Sequence, residues 1–159
     1  LTALFGGEPE EWLAGDPAAH SFKADAVRRA LSCHQQALDD PLEVLRRLGG
    51  RDVAALMGAI LAARIQRIPV VLDGIVTLAA AAVLFRLDPR AIDHCRAAHD
   101  TGEPAQRKAL AALGLEPLMA LGLTIGEGAG AALAVGILRA AAACHGEMAL
   151  AEDSAGTLN

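Results

Sequence analysis

The 159-residue sequence predicts an α/β fold in which helices layer against a parallel sheet. Three features point there. Val70-Val71-Leu72 is a short run, β-branched and apolar on both faces, that stops at Asp73-Gly74 as a buried parallel strand does. Helical segments precede and follow it, and a second candidate strand leads to His99, so the order is helix, strand, helix, candidate strand, helix. Finally, 53% of the residues are hydrophobic but only 3% are aromatic, with no Tyr. The core must therefore be built from Ala, Leu, Val and Ile, which suits closely packed alanine-rich helices.

The elements follow in order. Leu1 to Leu4 reads as the tail of a helix stopped by Gly6-Gly7, and Pro9-Glu10-Glu11 opens a short helical turn. Gly15-Asp16-Pro17 is a loop. From Phe22 to Leu38, Ala26, Val27, Ala30, Leu31, Cys33 and Leu38 make an apolar helical face opposite Lys23, Arg28, Arg29 and Gln35. Asp40 is placed to cap the next helix, Pro41 fits its first position, and Gly49-Gly50 ends it. Asp52 to Arg64 is an alanine-rich helix closed by Gln66-Arg67-Ile68-Pro69. After the strand at 70–72, Ile75 to Arg86 is helical, while Ala91 to Ala98 fits either a helix or a strand. Pro104 to Leu113 is an amphipathic helix, Pro117 to Leu121 a short helical piece, and Ala129 to Cys144 a long apolar helix.

The length suits one domain. A net charge of −5 argues against a nucleic-acid partner, which calls for a basic patch. Cys33, Cys95 and Cys144 are too few and too scattered for a disulfide framework, and a reducing cytoplasm fits best. The apolar stretch Ile68 to Phe85 is broken by Pro69, Asp73 and Gly74, and Ala129 to Cys144 is short and rich in alanine, so no membrane segment is expected. No signal peptide is evident. The first residue is Leu1 rather than Met, from which residues upstream are expected.

The most informative stretch is Ile125-Gly126-Glu127-Gly128-Ala129-Gly130-Ala131, where one carboxylate stands between glycines at the start of an apolar helix. The helix dipole and free N–H groups favour its ionised form there, which suits a general base. A simple helix cap accounts for the same residues. The loop could cradle a phosphate at a helix N-terminus, but Glu127 would repel the dianion. Asp73, at the carboxyl end of a strand, is either a site residue or a turn former beside Gly74. Lys23 is a lone lysine at a helix start, where the macrodipole does not favour a cation, and a solvated surface role is the simpler account. Asp93, His94, Cys95 and His99 match no standard zinc spacing, so no metal is expected. His34 and His145 fall on helices as lone histidines. No Ser-His-Asp signature, G-x-S-x-G, P-loop or G-x-G-x-x-G after a strand occurs.

Taken in order, several motifs closely resemble the nicotinate-nucleotide:dimethylbenzimidazole phosphoribosyltransferase family. They are Asp40-Pro41-Leu42-Glu43-Val44-Leu45 with Leu48-Gly49-Gly50, then Ile68 to Gly74, then His99 through Glu103-Pro104, then Leu113 to Leu118, and Gly126-Glu127-Gly128-Ala129-Gly130-Ala131-Ala132-Leu133. The resemblance covers about Leu1 to Met148. It implies a helix-rich Rossmann-like three-layer α/β domain with a parallel sheet, present as a partial chain: residues 1–150 as the carboxyl-terminal part of the enzyme and 151–159 as a loose tail. It further implies transfer of the phosphoribosyl group of nicotinate mononucleotide to dimethylbenzimidazole, giving α-ribazole phosphate and nicotinate for the lower ligand of cobalamin. No cofactor or metal is implied, and a homodimer is.

By the same resemblance Glu127 is the general base. Lys23 contacts the nucleotide, Asp73 lies near ribose and phosphate, Thr101 supplies a hydroxyl and Ile125 packs on the azole, with Gly126 and Gly130 also at the substrate. Three positions depart from the family pattern. The segment from Leu13 to Phe22 is short and keeps only Gly15, Ala105-Gln106 stands where Gly-His is common, and Ala129 replaces Ser or Thr. Much of the azole pocket and a phosphate loop belong upstream of Leu1, so this half chain alone should not turn over. Two alternatives remain: the same fold using another azole, adenine or a phenolic base, and a non-catalytic nucleotide-binding domain.

Overall fold

Chain order and spatial order coincide in the sheet. In the computed structural model, which describes residues 1–123 and 128–148, strands β1 (Val70–Leu72), β2 (Cys95–His99) and β3 (Pro117–Met119) pair in the order β1-β2-β3, all parallel. Val70 is opposite Cys95, Leu72 opposite Ala97, and His99 opposite Met119. Helices α1 (Thr2–Phe5), α2 (His20–Cys33), α3 (Pro41–Leu48) and α4 (Arg51–Ile65) precede the sheet. Helix α5 (Gly74–Leu87) joins β1 to β2, α6 (Pro104–Leu113) joins β2 to β3, and α7 (Ala129–Glu147) closes the described chain.

The three-layer α/β architecture is present. On one face of the sheet Leu72, Cys95 and Ala97 join Leu78, Val83 and Leu84 of α5 and Leu110 and Leu113 of α6 in the main core. Ala80, Ala81 and Ala82 are all fully buried, because α5 lies inside the helical layer against α3, α4 and α6. Alanine's small side chain lets these helices approach closely. On the other face Ala98, Met119 and Ala134 form a smaller cluster beneath the start of α7, with Val71 and Ala131 packed against it.

Local signals placed most boundaries. Asp40 accepts a hydrogen bond from Leu42 N at 2.8 Å and Pro41 opens α3. Pro9 starts a 3₁₀ turn, Pro9–Trp12, and Asp16 caps another, Pro17–Ala19, inside the expected loop. The 89–99 region resolves into a 3₁₀ turn, Pro89–Ile92, followed by strand β2.

Three expectations need correction. Pro117 to Leu121 is not helical: residues 117–119 form β3, because Pro117 can begin an edge strand without the N–H it lacks and Met119 buries beside β2. The helix expected from Phe22 to Leu38 ends at Cys33, where His34 leaves helical geometry at φ −126° and ψ 22° before a separate 3₁₀ turn, Gln35–Ala37. His34 is therefore a junction residue and not a helical one. Third, α7 runs to Glu147, and by length and composition alone its 19 residues would suffice to cross a membrane. Its first turns are tied into the sheet, while every residue from Arg139 to Met148 is exposed. The expected tail, 151–159, lies outside the described residues.

Candidate active site

The chemistry-bearing side chains collect beyond the carboxyl ends of the strands, where open parallel sheets bind their ligands. Asp73 follows β1 directly, His99 ends β2, and β3 leads through Leu123 toward α7. Gly74 has φ +76°, a left-handed conformation that glycine adopts without steric cost, and this lets the chain turn sharply from strand into α5. Asp73 is the residue before that helix, yet its side chain makes no cap to it. The carboxylate reaches across to α7, where Oδ2 accepts a hydrogen bond from Ala131 N at 3.0 Å. An anion thus meets the free N–H groups of a helix start.

Asp73 Oδ1 also lies 3.0 Å from Nδ1 of His99, whose side chain is only 1% exposed. That contact has ion-pair distance without the alignment of a hydrogen bond. The other ring nitrogen, Nε2, is 3.1 Å from the carbonyl oxygen of Leu123. Gly130 is buried against the imidazole at Nδ1: a Cβ on it would stand 2.0 Å from Nδ1 and 2.5 Å from Cε1. Any side chain at 130 would displace the ring.

Thr101 belongs to the same structure through Gln106, a fully buried residue of α6. The Gln106 Oε1 accepts from Thr101 N at 2.7 Å and, more closely, from Thr101 Oγ1, while Gln106 Nε2 donates to His99 O at 3.0 Å. Glu103 N donates to Thr101 Oγ1 at 3.3 Å, and the Glu103 carboxylate accepts from Gly15 N at 3.2 Å. Lys23 is exposed on the first turns of α2 and donates from Nζ to Ala14 O at 3.3 Å. Lys23, Thr101, Asp73 and Gly130 are accordingly linked through one chain of contacts, with Lys23 at its solvent end. Ile125, Gly126 and Glu127 lie outside the described residues. Gly128, which resumes the described chain, caps α7 in the left-handed region at φ +82°.

Charge at the rim is also ordered. Asp100 accepts from Gly102 N and from Arg107 Nε, both at 2.8 Å, and these hold its carboxyl below its ordinary range. The residues weighed as metal ligands divide between the two ends of β2: His94 Nε2 meets Ile60 O at 3.0 Å at one end, and His99 sits at the other. Cys95 is fully buried, and desolvation pushes its thiol up to about 11.

Sequence reasoning missed two residues as site members. His99 entered only as one member of a motif and as a metal alternative, and Gln106 only as a departure. A polar residue on an amphipathic helix reads as solvated, so Gln106 offered no local signal. Its position directly behind Thr101 in the folded turn is what buries it.

A family model described as phosphoribosyltransferase matches residues 1–156. The nicotinate-nucleotide–dimethylbenzimidazole phosphoribosyltransferase of Brucella canis is 53% identical over 156 residues, which cover 96% of this chain and 46% of that protein. The protein of the same name from Sinorhizobium fredii is 53% identical over 150 residues, covering 92% of this chain and 44% of its own length. A crystal structure of nicotinate-nucleotide–dimethylbenzimidazole phosphoribosyltransferase from Thermus thermophilus matches with a TM-score of 0.85 at 37% identity, over 99% of this chain and 47% of that one. The chain spans less than half the length of these relatives.

Proposed function

We propose that this chain, which belongs to the phosphoribosyltransferase family, forms the carboxyl-terminal half of an enzyme that moves the phosphoribosyl group of nicotinate mononucleotide onto dimethylbenzimidazole. The products are α-ribazole phosphate, for the lower ligand of cobalamin, and nicotinate. The observation that carries this reading is the 53% identity to enzymes named for that reaction, held across a region that includes Lys23, Asp73, Thr101 and the Gly126 to Gly130 segment. The gathering of Asp73, His99 and Thr101 at the carboxyl ends of the strands supports it.

In the proposed reaction one azole nitrogen attacks the anomeric carbon as the bond to the pyridinium nitrogen of nicotinate breaks. Positive charge building on the azole makes the proton on its second nitrogen acidic, and Glu127 takes it. Such positioned proton transfer contributes about 10² to 10⁴ in rate. The pyridinium leaves as a neutral ring nitrogen and needs no acid. Lys23 and Thr101 bind the nucleotide, Asp73 orders its ribose end, and Ile125, Gly126 and Gly130 shape the azole side. We place the enzyme in the cytoplasm as a homodimer, acting on small molecules without a cofactor.

The test is Glu127→Gln in a protein of the relatives' length. The expected result is a fall in kcat of about 10²-fold or more with nicotinate mononucleotide still bound, measured by product chromatography and calorimetry. Full retained rate removes Glu127 as the base.

A further inference from the structure

We propose that His99 is a positioning residue that anchors both flanks of segment 124–127; its kinetic consequence rests on the reading above, in which that segment carries the general base. The flank before the segment is held directly, since His99 Nε2 lies 3.1 Å from Leu123 O. The flank after it is held twice. Gly130 packs against Nδ1 of the ring so closely that no Cβ fits, and Asp73, 3.0 Å from Nδ1, accepts from Ala131 N with its second oxygen. The backbone that carries the ring is held as well, because Gln106 Nε2 donates to the His99 carbonyl.

Burial gives these contacts their importance. The His99 side chain is 1% exposed and that of Asp73 is 9%, so water cannot replace a lost partner, and a buried polar atom left unpaired is costly. A catalytic group displaced by about 1 Å can lose about 10²-fold in rate, so the residue that fixes where the base-bearing segment leaves and rejoins the fold controls turnover without touching substrate.

Two substitutions separate the contacts. An asparagine amide nitrogen reaches about as far as Nδ1 and a glutamine one about as far as Nε2. In the full-length enzyme His99→Gln keeps the bond to Leu123 O but loses the Nδ1 contacts, so amide hydrogen exchange is unchanged across residues 120–123 and accelerates across 128–131, with kcat down about tenfold. His99→Asn breaks that bond. Its kcat falls at least about 30-fold, KM for nicotinate mononucleotide stays within about threefold, and exchange across 120–131 accelerates. Gly130→Ala, which drives a methyl group into the ring, gives the second pattern.

Unchanged exchange across 120–131 in both His99→Asn and Gly130→Ala overturns the proposal, whatever the activities. Acceleration across 120–123 in the Gln variant as large as in the Asn variant, or a rise in KM in place of a fall in kcat, overturns it as well. If Glu127→Gln keeps full rate, the functional reading falls instead, and the exchange comparison still decides whether His99 is the anchor.

Discussion

A thiol at the start of β2 and an imidazole at its end show how burial sets the chemistry of single residues. Cys95 and His99 are both fully buried, but the first has only weak sulfur contacts to His94 at 3.9 Å, whereas the second faces an acceptor at each ring nitrogen. Desolvation outweighs the opposing charges of Arg96 and Arg64, and the Cys95 thiol keeps its proton well above the ordinary value of about 9, up to about 11. The consequence for stability follows from proton counting. Between about pH 9 and 11 the unfolded chain has lost this proton and the native chain retains it, so native stability falls as pH rises through that window. Cys95→Ala is expected to flatten part of that decline in pH-dependent denaturant melts. At neutral pH Cys95 should resist alkylation until the protein unfolds, in contrast with exposed Cys33.

Among the described α-helices, α3 is the one with a side-chain cap. Asp40 closes the start of α3 through Leu42 N, and Asp40→Ala should cost about 1 kcal/mol in chemical denaturation without altering the site. Signals of this kind were legible in the sequence: Asp40-Pro41 for α3, Asp73-Gly74 for the end of β1, and the apolar run 70–72 for a buried strand. Residues 117–119 were not legible, because Pro-Leu-Met has no alternation and little β-propensity, and only pairing with β2 makes it a strand. Ala91 to Ala98 was ambiguous for the same reason: Ala97 and Ala98 fit a helix by propensity, and the sheet overrides it. Of the candidate site, Asp73 and Thr101 were named, but the links between them were not. His99, Gln106 and Ala131 N are joined by tertiary geometry that no local pattern encodes.

For the whole molecule, the second layer is the informative one. Leu133 and Ile137, one turn apart on α7, are 50% and 47% exposed, and all of residues 139–148 are exposed as well. An apolar helix open on most sides is stable when another surface covers it, and relatives more than twice as long have residues to do so. Ile137→Asp in a protein of that length is therefore expected to cost more than about 1 kcal/mol in thermal melts, well beyond the roughly 0.5 kcal/mol of an ordinary surface change. A shift no larger than a surface substitution gives would mean that this face of α7 stays in water.

The coincidence of chain order and sheet order has a kinetic side. Among the described residues each strand pairs with the one just before it, across a single intervening α-helix, so none of these three strands waits for a distant partner. Loop-closure entropy is met in two moderate steps, and the sheet can grow from β1 outward as a zipper. Parallel pairing is slow when contacts are far apart in sequence. Here the connectivity keeps them near, with α5 and its buried alanines lying between the first two strands in the chain.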